Sequence, residues 1–442
     1  MYAIIGAGPA GLSAARQLQR HGIPFVGFEQ HQDVGGLWDI GNPHSTLYES
    51  AHLISSKRTT EFSEFPMADD VAPYPHHREM RRYFHDYARH FGLHGHYQFG
   101  TTVERIEPQG EGWRVLTRQA GQPREWAVDG VLIASGTLHT PNQPPLPGTF
   151  AGEQLHSAQY RSAAVFEGKR VLVIGCGNSA CDIAVDAVHR ARSVDLSVRR
   201  GYYFLPKFLL GRPIDTFGGA VKLPRPLKQR LDAALVRALI GKPSDYGLPD
   251  PDYRLYEAHP VVNSLVLHHL GHGDIRARPD VQAVEGHGVT FSDGQRGEYD
   301  LILQATGYRL DYPFISRDAL NWREDADAPA LYLNIFHPRH DNLFMLGMVE
   351  ASGLGWQGRA EQAELVALFI RQRQAGGASA EHLARTKAER ANQRVDGGYA
   401  YLPLARMAYY VHKDSYRAAL RQHIDALRRD LADAPQGRHA PA

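Results

Sequence analysis

The chain has 442 residues, 43% of them hydrophobic and 22% charged, the balance of an ordinary globular enzyme of two or three domains. Its 49 basic and 48 acidic side chains leave a formal net charge of +1, which removes the electrostatic argument for a nucleic-acid or anionic-membrane partner. Two cysteines, Cys176 and Cys181, exclude a disulfide framework and point to a reducing cytoplasm. No run of about 18 apolar residues predicts a membrane span, and the 24 histidines show no metal-ligand spacing, so no metal is expected.

In chain order, residues 2–5 read as a buried parallel strand, with no basic and apolar leader before it. Gly6, Gly8 and Gly11 follow as G-x-G-x-x-G, and residues 12–20 read as the helix beyond. In this pattern the first glycine permits the tight turn, the second lets a pyrophosphate approach the backbone, and the third lets helix and strand pack. The helix N-terminus then faces the phosphates. Residues 25–28 form the next strand. Glu29 ends it, 18 residues after Gly11, where a carboxylate accepts hydrogen bonds from ribose hydroxyls. The segment DVGGLWDI at 33–40 adds a second Gly-Gly before Trp38, a loop suited to an adenine dinucleotide with a bulky planar ring system.

Helical periodicity returns at 78–91, with strand patterns near 98–106, 113–117 and 131–134. The connector TPNQPPLPG at 140–148 holds four prolines in nine residues, stiff enough to mark a domain boundary. A second βαβ pattern begins with the strand at 170–174. Gly175, Gly177 and Ala180 form G-x-G-x-x-A, and Asn178 and Ser179 open the next helix as cap residues able to meet phosphate oxygens. After a strand at 195–198 the ribose position is Arg199, followed by Arg200. Guanidinium in place of carboxylate suits a 2′-phosphate, so this turn favours NADP. Cys176 and Cys181 lie in and after this turn, where they read as packing residues rather than a redox pair.

Residues 206–250 read as an insertion with an amphipathic helix, LKQRLDAALVRALI, near the cofactor cleft or at an oligomer contact. Strands return near 289–291 and 301–304, then a loop and helix over 353–371, and the last dozen residues read as disordered. Two dinucleotide turns in one chain imply two cofactors whose reactive rings meet: FAD held by the first, NADPH admitted by the second as hydride donor.

Residues 150–161 carry F-x-G-x-x-x-H-x-x-x-Y-R through Phe150, Gly152, His156, Tyr160 and Arg161. This segment resembles the signature of flavin-containing monooxygenases; the related Baeyer–Villiger enzymes differ at the positions of Tyr160 and Arg161. GGLWD, FSEFPM at 62–67, SGTLHTPN at 135–142 and ATGY at 305–308 stand in the family's order, and the likeness covers roughly residues 1–370.

The resemblance implies an α/β fold of two Rossmann-like domains. The FAD domain comprises residues 1–150 and 306–442, and the NADP domain, residues 163–300, is inserted into it. Both are expected to be three-layer units around a parallel sheet. It implies cofactor contacts at Gly6, Gly8, Pro9, Ala10, Gly11, Glu29, Gln30, Gly36, Leu37, Trp38, Val103, Ala305 and Gln362 for FAD and its surroundings. For NADP it implies Ser157, Gly175, Gly177, Asn178, Ser179, Arg199 and Arg200. Ile54, Tyr160, Asn178 and Gln362 are the expected catalytic positions, and His156 is expected to tie the connector to both domains.

The implied reaction is NADPH-dependent transfer of one oxygen atom from O2, through a flavin C4a-hydroperoxide, to a sulfide or amine. Ile54 stands where the family often has Asn, so leakage to hydrogen peroxide is expected, with His52 or Ser55 as possible substitutes. An NADPH oxidase, a Baeyer–Villiger enzyme and a nucleotide-sensing regulator are the competing readings, and a homodimer is the expected assembly.

Overall fold

The computed structural model describes residues 1–217 and 223–433. Among these the helices are α1 (Pro9–Arg20), α2 (Lys57–Thr60), α3 (His77–His90), α4 (Asn178–Val188), α5 (Arg225–Ile240), α6 (Leu265–His272), α7 (Gly355–Ala375), α8 (Ala378–Glu389) and α9 (Lys413–Asp433). None of the described helices is long and apolar enough to cross a membrane.

Two five-stranded parallel sheets organise the chain. In the first, the spatial order is Leu343–Met345, Gly130–Ile133, Tyr2–Ile5, Phe25–Phe28 and Tyr97–Gln98. In the second it is Glu153–His156, Leu301–Gln304, Arg170–Ile174, Ser193–Ser197 and Ile275–Arg278. The central strands YAII and RVLVI are near-continuously apolar because both of their faces are covered.

Alternation along each strand sorts its side chains between two cores. Ile4 joins Leu12 of α1 and Leu365 of α7, whereas Ala3 and Ile5 face Trp113 and Val115 of a three-stranded antiparallel sheet over residues 101–128. In the second sheet Val171 and Val173 pack on α4 and α6, and Leu172 faces Val289 and Phe291 of a four-stranded sheet. Each unit thus has the three expected layers, one of them made of strands.

The chain crosses between the units at Thr140–Pro141 and returns at Tyr308–Arg309, and these two segments pair antiparallel. Asn142 N donates to Gly307 O at 2.9 Å beside them. The strand pairing places the junction earlier than the expected limits of 1–150 and 163–300. Gly148–Phe150 pairs with Val281–Gly286, and Glu153–His156 forms an edge of the second sheet, so residues 148–156 fold with the second unit.

Within the expected insertion, α5 is held by Gln229, whose amide donates to Leu255 O at 2.9 Å. Its other face carries Leu227, Leu231, Leu235 and Leu239, 45–51% exposed and four residues apart. The expected disorder of the final dozen residues lies mostly outside the described residues, and α9 runs on to Asp433.

Candidate dinucleotide sites and their connector

α1 starts three residues earlier than its apolar period indicates. Gly8 is the N-cap, Pro9 takes the first helical position where a missing N–H costs nothing, no side chain caps the helix, and no acid stands in its first turn. The free N–H groups and the positive end of the helix dipole are therefore open to an anion. Gly6 has φ of +103°, and a Cβ there would stand 2.8 Å from Ala134 O. Gly36 faces Gly8 across the same space: a Cβ on Gly36 would lie 3.0 Å from Gly8 Cα. Gly35 N donates to Ala7 O at 3.0 Å and stitches the GGLWD loop to the turn. Ser135 Oγ, just beyond Gly130–Ile133, is buried without a hydrogen-bond partner. A backbone cradle kept clear of side chains, with an orphaned hydroxyl beside it, fits a dinucleotide.

Glu29 is 5% exposed and accepts from Ala7 N at 2.7 Å and His31 N at 2.8 Å. Burial pushes its carboxyl above the usual range. Two lone-pair positions of the carboxylate remain for ribose hydroxyls. Gln30 is exposed, Ala10 buried, and Leu37 half-buried. Trp38 meets Trp356 of α7 edge-on at 5.9 Å. Val103 is half-buried on Thr101–Gln109, a strand joined to Glu29 by Thr101 N donating to Glu29 O at 2.8 Å.

The second turn repeats the construction. Gly175 has φ of +122°, and a Cβ there would stand 2.5 Å from Ala305 O. Gly177, not Asn178, is the N-cap, and again no side chain caps the helix. This corrects the expected cap role of Asn178: it is the first helical residue, and its Oδ1 accepts from Val262 N at 2.7 Å, which leaves one oxygen lone pair and the amide nitrogen for a ligand. Ser179 is half-buried in the first turn. Beyond Ser193–Ser197, Arg199 is exposed, while Arg200 lies over the Tyr202 ring at 5.2 Å. Cys176 and Cys181 are free and buried in the core of this unit.

The signature segment and α4, the helix after the second turn, are knitted to residues 45–50. Tyr160 is 1% exposed, its ring packed between Tyr48 and Phe166, and its hydroxyl donates to Asp186 Oδ2 at 2.9 Å. Ser50 Oγ donates to the same oxygen. Tyr48 Oη donates to Asp182 Oδ2 at 3.1 Å. Asp182 and Asp186 are four apart and therefore on one face of α4; burial raises both carboxyls above their ordinary range. Arg161 completes the seam with Nη2 donating to Ser45 O at 2.6 Å. The expected catalytic role of Tyr160 is thus replaced by one of positioning, since a fully enclosed phenol bonded to a carboxylate cannot touch a cofactor. Only the four-residue spacing of Asp182 and Asp186 after the glycine turn marks this pair in the sequence.

His156 is fully buried, and that burial lowers its pKa. Its Nδ1 accepts from Ala158 N at 3.1 Å, its backbone N–H donates to Gln159 Oε1 at 2.8 Å, and its ring meets Tyr308 edge-on at 5.6 Å. These contacts hold the connector against the returning strand. Ser157 N donates to Gln304 O at 2.9 Å. Gln362 departs from expectation. It lies wholly inside α7, where Oε1 accepts from Gly347 N at 3.1 Å and Nε2 donates to Tyr416 Oη at 2.6 Å. Its amide oxygen and nitrogen are thus committed within the core, and it is a structural residue rather than a flavin contact.

Ile54 is half-buried. Thr60 Oγ1 donates to Ser56 O at 2.8 Å, so the 2.7 Å contact between Ser55 and Thr60 has Ser55 as donor. Exposed His52 turns Nδ1 to Ser50 O at 2.7 Å. Neither directs these donor groups to the Ile54 position.

The flavin-binding monooxygenase-like family model matches residues 1–410. Flavin-containing monooxygenase 5 of Oryctolagus cuniculus is 31% identical over 385 residues, covering 79% of this chain and 69% of that protein. Dimethylaniline monooxygenase (N-oxide-forming) 2 of the same species is 31% identical over 377 residues, with the same two coverages of 79% and 69%. In fold, S-allyl-L-cysteine S-oxygenase from Allium sativum superposes with a TM-score of 0.65 at 20% identity, covering 99% of this chain and 94% of that one. OTEMO, which superposes with a TM-score of 0.67 at 20% identity over 87% of this chain and 88% of that one, is solved in complex with FAD and NADP. With two uncapped glycine turns joined by the 150–161 signature, the chain belongs to the flavin-binding monooxygenase family.

Proposed function

We propose that this monooxygenase transfers one oxygen atom to a soft nucleophile, a sulfide or an amine: substrate, O2, NADPH and a proton give the S- or N-oxide, water and NADP⁺. FAD, when bound, supplies the oxygen chemistry. The observation that carries the reading is the seam of Tyr160, Arg161, Asp182 and Asp186, which joins the helix after the second turn to residues 45–50 of the first unit. The protein's work is then positioning and water exclusion.

A nucleophilic sulfur or nitrogen needs no deprotonation. In keeping with that, the titratable groups along the seam are committed to one another, and His156 is held neutral by burial. The names of two similar proteins, an N-oxide-forming enzyme and an S-oxygenase, support the same substrate class. Exposed Arg199 beside Arg200 supports recognition of a 2′-phosphate. Glu29, Gly6, Gly8 and Gly36 supply the FAD cradle.

Product analysis of purified enzyme given a thioether, a tertiary amine and a cyclic ketone tests the reading. S- or N-oxide is the expected product; lactone as the dominant product overturns it.

The reading extends to a homodimer in a reducing cytoplasm. The leucine face of α5 is the surface for the second copy, and both thiols are free. Sedimentation is expected to give a dimer that Leu231→Glu dissociates; a monomeric wild type contradicts it.

A further inference from the structure

The histidines have no ligand spacing along the chain, yet the fold gathers three metal-binding side chains from separate segments. Asp33 lies on the loop between Glu29 and Gly36. His85 lies on α3, and His94 opens the short 3-10 turn that follows it. One ligand atom from each falls within 4.8 Å of the others. Asp33 Oδ2 stands 3.4 Å from His85 Nε2, and Oδ1 stands 3.7 Å from His94 Nε2. These separations are long for hydrogen bonds. His85 Nε2 is buried and has no hydrogen-bond partner. By contrast, ligand bonds of about 2.0–2.1 Å at tetrahedral angles place donor atoms about 3.3–3.4 Å apart. The side chains of His85, Asp33 and His94 are 19%, 34% and 40% exposed, so the group is reached from one open side.

We propose that Asp33, His85 and His94 bind a divalent cation of the zinc class, with water completing the shell, and that the ion clamps the FAD loop to α3. Two imidazoles and one carboxylate select zinc, cobalt or nickel over magnesium and calcium, which prefer all-oxygen shells. The clamp follows from where the ligands sit. Arg81, one turn before His85, already holds Asp39 at the far end of the same loop at 3.1 Å. Between these two grips, Val34 is fully buried and Gly35 is bonded to Ala7 of the glycine turn. An ion at His85 fixes the near end as Arg81 fixes the far end.

The test uses tag-free, FAD-loaded protein stripped of metal and titrated with Zn²⁺ against a chromophoric chelator. His268→Ala/His272→Ala is the background, because those two rings lie 4.0 Å apart on α6 and offer a competing surface pair. One tightly bound Zn²⁺ per chain is expected. His85→Gln and the isosteric Asp33→Asn are expected to abolish it while retaining the flavin spectrum and the circular dichroism of the parent. Co²⁺ is expected to give the visible absorption of a tetrahedral site, and Zn²⁺ to slow FAD release several-fold relative to the chelator-treated protein. Equal Zn²⁺ stoichiometry in parent and variants, or no binding by the parent, overturns the site. Binding that leaves the FAD release rate unchanged overturns the clamp.

Discussion

Arg199 stands exposed at the end of Ser193–Ser197, where a dinucleotide turn that prefers NAD carries an acid. Arg199→Ala is expected to raise KM for NADPH about 10- to 100-fold, the worth of a hydrogen bond to a charged group, and to leave KM for NADH unchanged. Steady-state kinetics with both coenzymes checks it. Ile54 provides the opposite case, an apolar side chain where the family resemblance leads one to expect Asn. Ile54→Asn is expected to lower hydrogen peroxide formed per NADPH consumed, read by a peroxidase-coupled assay. A third residue governs stability. His337 is 1% exposed, its Nδ1 accepts from Arg339 N at 3.1 Å and His340 N at 3.0 Å, and burial holds its pKa down at about 3. Between that value and about 6.5 the unfolded chain binds a proton the folded chain refuses. Stability therefore falls as pH falls through this window, by about 1.4 kcal/mol per pH unit for this one group. His337→Asn is expected to flatten the dependence of Tm on pH across that range, whatever its effect at neutral pH.

At the level of elements, the glycine turns were legible because their requirement is steric and local: positive φ and no room for a Cβ at Gly6 and Gly175. The apolar strands YAII and RVLVI were legible because burial on both faces leaves no polar positions. Gln122–Val128 escaped notice because QPREWAV is an edge strand, largely exposed, with a proline in it. The connector's strand Glu153–His156 escaped because its partner, Leu301–Gln304, lies far along the chain. Side-chain direction was least legible. Gln362 shares its helix with the loop end near Trp38, but its rotation about α7 turns it into the core, toward Tyr416. Tyr160 likewise points at Asp186. Tyr160→Phe tests that placement: it removes one donor from a buried carboxylate and is expected to cost about 1–3 kcal/mol of stability. Retention of bound FAD and of the rate of flavin reduction by NADPH in this variant, followed in stopped flow, separates positioning from catalysis.

On the scale of the molecule, two parallel-sheet units meet through a pair of antiparallel crossings and a side-chain seam. The crossings at Thr140–Pro141 and Tyr308–Arg309 brace each other. The seam binds α4 of one unit to residues 45–50 of the other. A balanced net charge of +1 fits a small neutral or weakly charged substrate rather than a polyanion. This assembly is expected to couple NADPH oxidation to oxygen transfer. The most direct measurement follows NADPH consumption by the flavin-loaded protein and quantifies peroxide, with and without methyl phenyl sulfide. Sulfoxide is expected to accumulate, and peroxide per NADPH to fall, when the thioether is present. Unchanged NADPH oxidation, peroxide matching it mole for mole, and no sulfoxide would contradict it.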